Sequence, residues 1–171
     1  MTPHPHHSIP PQLPPANCFT VLVIDDLPQN RVLLRKFLKT AGYAVIEATN
    51  GIEALDILRR KHVRPDLIVT DIEMPVMDGI TLVEQIRYLD DTIATIPIIA
   101  ASGNADEEMR HRALRAGSDQ FMTKPFDLGE LRREMATLLK LRRQSVPIRN
   151  SKLSPPATNR LDPNLEGQNQ G

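Results

Sequence analysis

The sequence predicts an α/β fold, a parallel sheet covered by helices on both faces. Two observations carry this expectation. Five apolar runs of strand length, FTVLVID, YAVIEA, DLIVTD, PIIAAS and DQFMTK, alternate with stretches of helical spacing between Phe19 and Arg143, and alternating β and α elements imply parallel strands joined by helical crossovers. The runs VLVI and LIV are apolar at consecutive positions, as strands buried on both faces should be.

The helices follow from apolar positions three and four apart. Leu34, Phe37, Leu38 and Ala41 share one face of the first, Ala54, Leu55 and Leu58 of the second, and Leu82, Val83, Ile86 and Leu89 of the third. The fourth, Ala105 to Ala116, is weaker, with Met109, Ala113 and Leu114 as its apolar anchors. Leu128, Leu131, Met135, Leu138 and Leu139 line the fifth. Asn50–Glu53, Asn104–Glu107 and Asp127–Glu130 have capping-box spacing, in which an N-cap acceptor is answered by a glutamate three residues on. Gly42 and Gly117 fall where helices should end, since glycine enters the left-handed conformation cheaply. The sum is five β-α units.

Composition narrows the function. Of 171 residues, 40% are hydrophobic and 25% charged, with 21 basic and 21 acidic side chains. This balance lacks the basic footprint of a nucleic-acid binder and the polybasic helix of a membrane-surface protein. No apolar stretch approaches the roughly 20 residues that span a bilayer. The start MTPHPHHSIPPQLPPAN has neither the basic segment nor the apolar core of a secretory signal. Cys18, the single cysteine, has no internal disulfide partner. A reducing, cytoplasmic setting is expected, with no membrane and no direct nucleic-acid contact.

Three regions are expected: a Pro/His-rich arm over 1–17, an ordered domain over 18–143, and a tail over 144–171. Both ends are expected to be disordered, because they lack a periodic apolar face. The histidines of PHPHH are read as solvated. The tail is shorter than the roughly 40 residues an independent output domain needs to fold unaided.

The chemistry lies at the strand ends. Asp25 and Asp26 close the first apolar run, Asp71 closes DLIVTD, Ser102 closes PIIAAS, and Lys124–Pro125 follows QFMT. In open parallel sheets, ligands bind beyond the carboxyl ends of the strands. Three carboxylates brought together there repel one another unless a cation sits among them. A hard, oxygen-ligated ion such as Mg2+ suits them, since it accepts carboxylates and keeps waters for an incoming phosphate. The pocket therefore reads as a phosphoryl-transfer site.

DD at 25–26, DIEMPVMDG at 71–79, the serine of PIIAAS and KPF at 124–126, in that order, strongly resemble the receiver domain of two-component response regulators. The resemblance covers about residues 19–142. It implies a doubly wound (βα)5 flavodoxin-like fold with strand order 2-1-3-4-5, and it implies a role for each matching residue. Asp71 matches the phosphoacceptor, whose attack on phosphorus gives an acyl phosphate. Asp25 and Asp26 match the acidic pair that holds Mg2+, with Asp71 and the backbone carbonyl of Glu73 completing the set; at Glu73 the side chain's identity is not critical to ligation. Lys124 matches the lysine that neutralises the transferred group, as a compact point charge, and its bond to Pro125 is expected to be cis. Ser102 matches the switch hydroxyl that donates to a phosphoryl oxygen. Phe121 matches the aromatic switch that turns inward behind it. Glu73 and Asn104 match positions that tune acyl-phosphate lifetime. Gly103 stands where alanine is typical and is expected to loosen the loop. Asn30, four residues after Asp26, is similar to receivers attached to hybrid histidine kinases and hints at a phosphorelay.

The resemblance implies a phosphorylation-dependent switch rather than an enzyme, one that assists its own phosphorylation and dephosphorylation. It implies a sensor histidine kinase or histidine phosphotransfer protein as donor. A docking face on the fourth helix, fifth strand and fifth helix is implied for a downstream protein or a second copy, with Arg110, Arg115, Arg132 and Arg133 on its two helices. A single-domain regulator is the first expectation. A phosphorelay intermediary, or a receiver cut from a hybrid kinase, is the alternative. Two other classes compete. An aspartyl-phosphate phosphatase commonly carries D-x-D, whereas Glu73 stands second after Asp71. A nucleotide- or flavin-binding protein would need a glycine-rich phosphate loop, and neither G-x-G-x-x-G nor a P-loop is present.

Overall fold

The computed structural model describes residues 19–60, 63–104 and 106–145. Cys18, the PHPHH histidines, the arm over 1–17 and the tail beyond 145 lie outside the described residues. The elements run β1 (Thr20–Ile24), α1 (Pro28–Thr40), β2 (Ala44–Ala48), α2 (Gly51–Arg59), β3 (Leu67–Asp71), α3 (Gly79–Arg87), α4 (Asp91–Ala94), β4 (Ile98–Ser102), α5 (Glu107–Ala116), β5 (Gln120–Thr123) and α6 (Leu128–Ser145). Five parallel strands form one sheet in the order β2-β1-β3-β4-β5. Sheet and order match the sequence-based expectation. The fourth and fifth predicted helices are α5 and α6, because the one-turn α4 was not anticipated. The last helix runs to Ser145, one residue past the expected start of the disordered stretch.

The consecutive apolar runs are explained by burial on both faces. Val21, Val23, Leu67, Val69 and Ile99 turn toward Leu34 and Leu38 of α1 and Leu131, Met135 and Leu139 of α6. Their neighbours Leu22, Ile24, Ile68 and Ile98 turn the other way, toward Ala54, Leu55 and Leu58 of α2 and Leu82, Val83 and Ile86 of α3. Burying such side chains stabilises by about 1.5–3 kcal/mol each, so the pattern fixes both the strand faces and the helix stripes. A third cluster, of Ile72, Ile80, Ala100, Ala113 and Phe121, lies under α5. Ala113 is the one α5 residue that is fully buried, which is why that helix showed the weakest periodicity.

Helix ends follow side-chain chemistry. The Asn50 side chain accepts from the Glu53 N–H (2.9 Å) and the Asp127 side chain from the Glu130 N–H (2.9 Å), as expected. The Glu53 carboxylate answers to the N–H and hydroxyl of Thr49 rather than to Asn50. One cap is corrected: Asp106, not Asn104, caps α5 and accepts from the Met109 N–H at 2.6 Å. Asn104 instead accepts from the Asp106 N–H (3.2 Å) and donates its amide to the Asp106 carboxylate (2.6 Å), so it supports the cap from outside. Gly42 (φ 88°) and Gly117 (φ 110°) take the left-handed conformation where α1 and α5 end. Among the described residues no helix is long and apolar enough to cross a membrane.

Candidate functional site

The parallel sheet delivers its strand ends to one edge, and the pocket forms there. β1 ends at Ile24, so Asp25 and Asp26 open the loop to α1; β3 ends on Asp71 and β4 on Ser102. The Lys124 N–H donates to the Ser102 carbonyl (2.8 Å), which draws the loop after β5 against β4. The Lys124–Pro125 peptide is cis, as expected. Gly79 sets the wall of the pocket: a Cβ there would collide with the Asp71 carbonyl oxygen, so any side chain would push the β3–α3 loop away.

Charge then dominates. Asp25 is 1% exposed and Asp71 4% exposed. Lys124 Nζ bridges them, at 2.7 Å from Asp25 Oδ2 and 2.6 Å from Asp71 Oδ2. Carboxylate oxygens of Asp25, Asp26 and Asp71 lie within 4.8 Å of one another. One ammonium among three carboxylates leaves an excess of buried negative charge. Burial pushes the Asp71 carboxyl above its ordinary range, and repulsion from Asp25 adds to the rise, while Lys124 and the Glu73 N–H act against it. Burial also disfavours the Lys124 ammonium, but the hydrogen bonds to Asp25 and Asp71 outweigh it and hold its pKa above the usual lysine value. The donor set fits a hard divalent cation: three carboxylates converge, and the excess charge rewards one.

The Asp25 carboxylate also organises its own loop. It accepts from the Leu27 N–H (2.9 Å) and from the Asn30 amide (3.1 Å to each oxygen). Arg31 donates to the carbonyls of Asp25 (2.7 Å) and Asp26 (3.1 Å). Asn30, read from sequence as a hint of relay ancestry, is thus a direct support of the pocket. Arg31 was missed, because its acceptors are backbone carbonyls that no residue pattern displays.

On the opposite wall, the Ser102 hydroxyl donates to Glu73 Oε1 (2.5 Å) and the Gly103 N–H to Glu73 Oε2 (3.1 Å). The Glu73 side chain, considered immaterial for metal ligation, therefore ties two loops together. Burial disfavours its charged form, yet the bonds from Ser102 and Gly103, with the nearby Asn104 N–H, prevail and hold the carboxyl below its ordinary range. A Cβ on Gly103 would meet nothing within 4 Å, so the glycine is not required by space, and its N–H is held by Glu73.

Phe121 is already inward. It is 7% exposed and packs with Ile72, Ile80, Ala100 and Ala113. Val76, in the β3–α3 loop, is 82% exposed and has φ 74°, a conformation costly for a β-branched residue.

Comparison with known proteins agrees with this geometry. Residues 21–136 match the model of the response regulator receiver domain. The chain is similar to sporulation initiation phosphotransferase F of Bacillus subtilis, 34% identical over 122 residues, covering 71% of this chain and 94% of that protein. It is 38% identical over 108 residues to the sensor histidine kinase CheAY of Helicobacter pylori, 63% of this chain but 13% of the kinase, so the chain spans about an eighth of that relative. A receiver domain of a sensor histidine kinase from Pseudomonas aeruginosa, solved with a magnesium ion in its active-site cleft, superposes with a TM-score of 0.66 at 31% identity, covering 72% of this chain and 98% of that one. Receiver domains bind Mg2+ at an acidic pocket, and this chain brings together a cluster of three aspartates, Asp25, Asp26 and Asp71. From strand order, pocket and family match together, the chain belongs to the response-regulator receiver family.

Proposed function

We propose that Asp71 accepts a phosphoryl group from a sensor histidine kinase or a histidine phosphotransfer protein, and that the acyl phosphate switches a protein-docking face. The observation that supports this most is the buried Asp71 carboxylate, with one oxygen on Lys124 at 2.6 Å and with Asp25 and Asp26 close by. Asp25, Asp26, Asp71 and the Glu73 carbonyl would hold Mg2+, which when bound supplies charge neutralisation for the incoming phosphoryl group. Asp71 is the nucleophile. Lys124 holds Asp71 Oδ2, leaving Oδ1, which accepts a single 3.2 Å bond from the Glu73 N–H, to attack, and the ammonium remains to neutralise the transferred group. Asn30 and the Leu27 N–H keep the Asp25 carboxylate fixed. Phosphoryl transfer has little covalent chemistry for a protein to do, so this positioning and charge are its contribution.

The signal is read as a population shift. Ser102 would donate a hydrogen bond from its hydroxyl to a phosphoryl oxygen, and Phe121 would report the loop position to α5, β5 and α6. Arg110, Arg115, Arg132 and Arg133 are exposed on α5 and α6 and give that face its charge for a downstream protein or a second copy. In this reading the chain is a switch in a reducing cytoplasm, with its receiver domain over 18–143. Relay onward to another histidine is the second reading, favoured by the similarity to sporulation initiation phosphotransferase F.

The test is transfer from an autophosphorylated histidine kinase. Wild type should take label in Mg2+ and the Asp71→Asn variant should take none. Equal labelling of the two would sink the assignment.

A further inference from the structure

The Glu73 carboxylate has no part in holding the metal, yet it spans the mouth of the pocket from the β3–α3 loop to the β4–α5 loop. Ser102 is fully buried, and a serine hydroxyl has one proton to donate. That proton goes to Glu73 Oε1, while the Asn104 N–H donates to Ser102 Oγ at 2.9 Å and fixes the hydroxyl from its other side. The Gly103 N–H occupies the second Glu73 oxygen. Asp71, by contrast, is held by Lys124 and by the Glu73 N–H (3.2 Å). Glu73 itself reaches in from the exposed side, so its carboxylate can swing out without disturbing the core.

We propose that Glu73 is an internal anion latch, a positioning residue whose carboxylate holds the Ser102 hydroxyl and the Gly103 N–H until a phosphoryl group on Asp71 displaces it. The competition rests on the phosphoacceptor reading of Asp71; the latch itself rests on the two bonds from Ser102 and Gly103. The exchange replaces one charge-assisted hydrogen bond by another, so Ser102 contributes little net affinity for the phosphoryl group while Glu73 is present. Remove Glu73, and the same hydroxyl comes to the phosphoryl group from water.

The test uses fluoroberyllate with Mg2+ as a phosphoryl mimic on the full chain, with amide resonances as readout. Four proteins are compared: wild type, Glu73→Ala, Ser102→Ala and the double variant. A charge-assisted bond of which one partner is exposed is worth a few-fold to tenfold in affinity. Glu73→Ala should therefore bind fluoroberyllate about three- to tenfold more tightly than wild type, and most of that gain should vanish in the Ser102→Ala background. In metal-free protein, Glu73→Ala should also lose hydrogen-exchange protection at the Gly103 amide, with the rest of the amide spectrum unchanged. An equal gain in both backgrounds would reduce Glu73 to simple charge repulsion and overturn the latch, as would unchanged Gly103 protection. Wild type that binds no fluoroberyllate would overturn the phosphoacceptor reading and the competition with it, whereas binding by wild type with no gain in Glu73→Ala would overturn the latch alone.

Discussion

The two ends of the sheet each hold a partly buried cation beside carboxylates, and they have opposite outcomes. At the amino ends of β4 and β5, Arg87 is fully spoken for. It donates to the carbonyls of Gly117 (2.6 and 2.8 Å), Ala94 (2.7 Å) and Ile96 (2.8 Å) and to the Asp119 carboxylate (2.9 Å). Asp119 in turn accepts from the Ile98 N–H (2.7 Å). One cation meets one carboxylate, every remaining donor finds a carbonyl, and α3, α4 and the β5 turn are stapled together. At the carboxyl ends, Lys124 bridges two carboxylates, Asp25 and Asp71, and a third, Asp26, stands close to them. A saturated end is structure. An end with unbalanced buried charge still has something to bind, and that imbalance is why the chemistry sits there.

The contrast can be broken most forcefully at Arg87. Its replacement by methionine should destabilise the fold by about 3–5 kcal/mol, because the Asp119 carboxylate and three carbonyls lose a half-buried partner; denaturant unfolding measures it. Mg2+ affinity of the surviving folded fraction should be unchanged, since the pocket lies at the far end of the strands.

Gly79→Ala should cost about 1–3 kcal/mol from overpacking against the Asp71 carbonyl. Unlike the Arg87 change, it should also weaken Mg2+ binding, because it displaces the loop that carries Asp71. Equal damage to stability with intact Mg2+ affinity would show that Gly79 does not position the site.

Asp71→Asn should do the reverse of both and raise stability at pH 7 without Mg2+, by a few degrees in Tm, on the order of 1 kcal/mol. The sign follows from linkage. Burial raises the Asp71 pKa above its unfolded value, so the neutral form is the one the fold favours. Its contribution is present below the unfolded pKa of about 3.9 and is lost as pH rises through the folded pKa. The advantage of the Asn variant should therefore shrink toward pH 3, and Mg2+ should stabilise wild type more than the variant. Thermal unfolding against pH, with and without Mg2+, decides this.

The smallest effect is at Val76. Glycine there should stabilise by about 0.5–1 kcal/mol, since relief of the left-handed conformation exceeds the added chain entropy. Calorimetry would show it as a small rise in Tm.

Most of the open end was legible in the sequence, and the closed end was not. Asp25, Asp26, Asp71, Ser102 and Lys124 each close an apolar run, and parallel strands carry such residues to one place whatever the details of packing. Arg87 looks like an ordinary cation at the end of a helix; its partners lie up to 32 residues away, and most of them are carbonyls. The cap at Asp106 was misassigned to Asn104 because both residues are acceptors near the same helix start, and the glutamate spacing favoured the wrong one. Glu73 was read as a backbone ligand and a lifetime-tuning position, and neither role says where its carboxylate goes. Val76 defied expectation outright: nothing in a β-branched residue predicts φ 74°.

In the function proposed above, the unbalanced pocket makes Asp71 a phosphoacceptor. Intact mass after incubation with Mg2+ and acetyl phosphate tests it most directly, wild type beside Asp71→Asn. Wild type alone should gain one phosphoryl group, and chelator should abolish the gain. A gain of equal size in the variant, or none in wild type with Mg2+ bound, would contradict it.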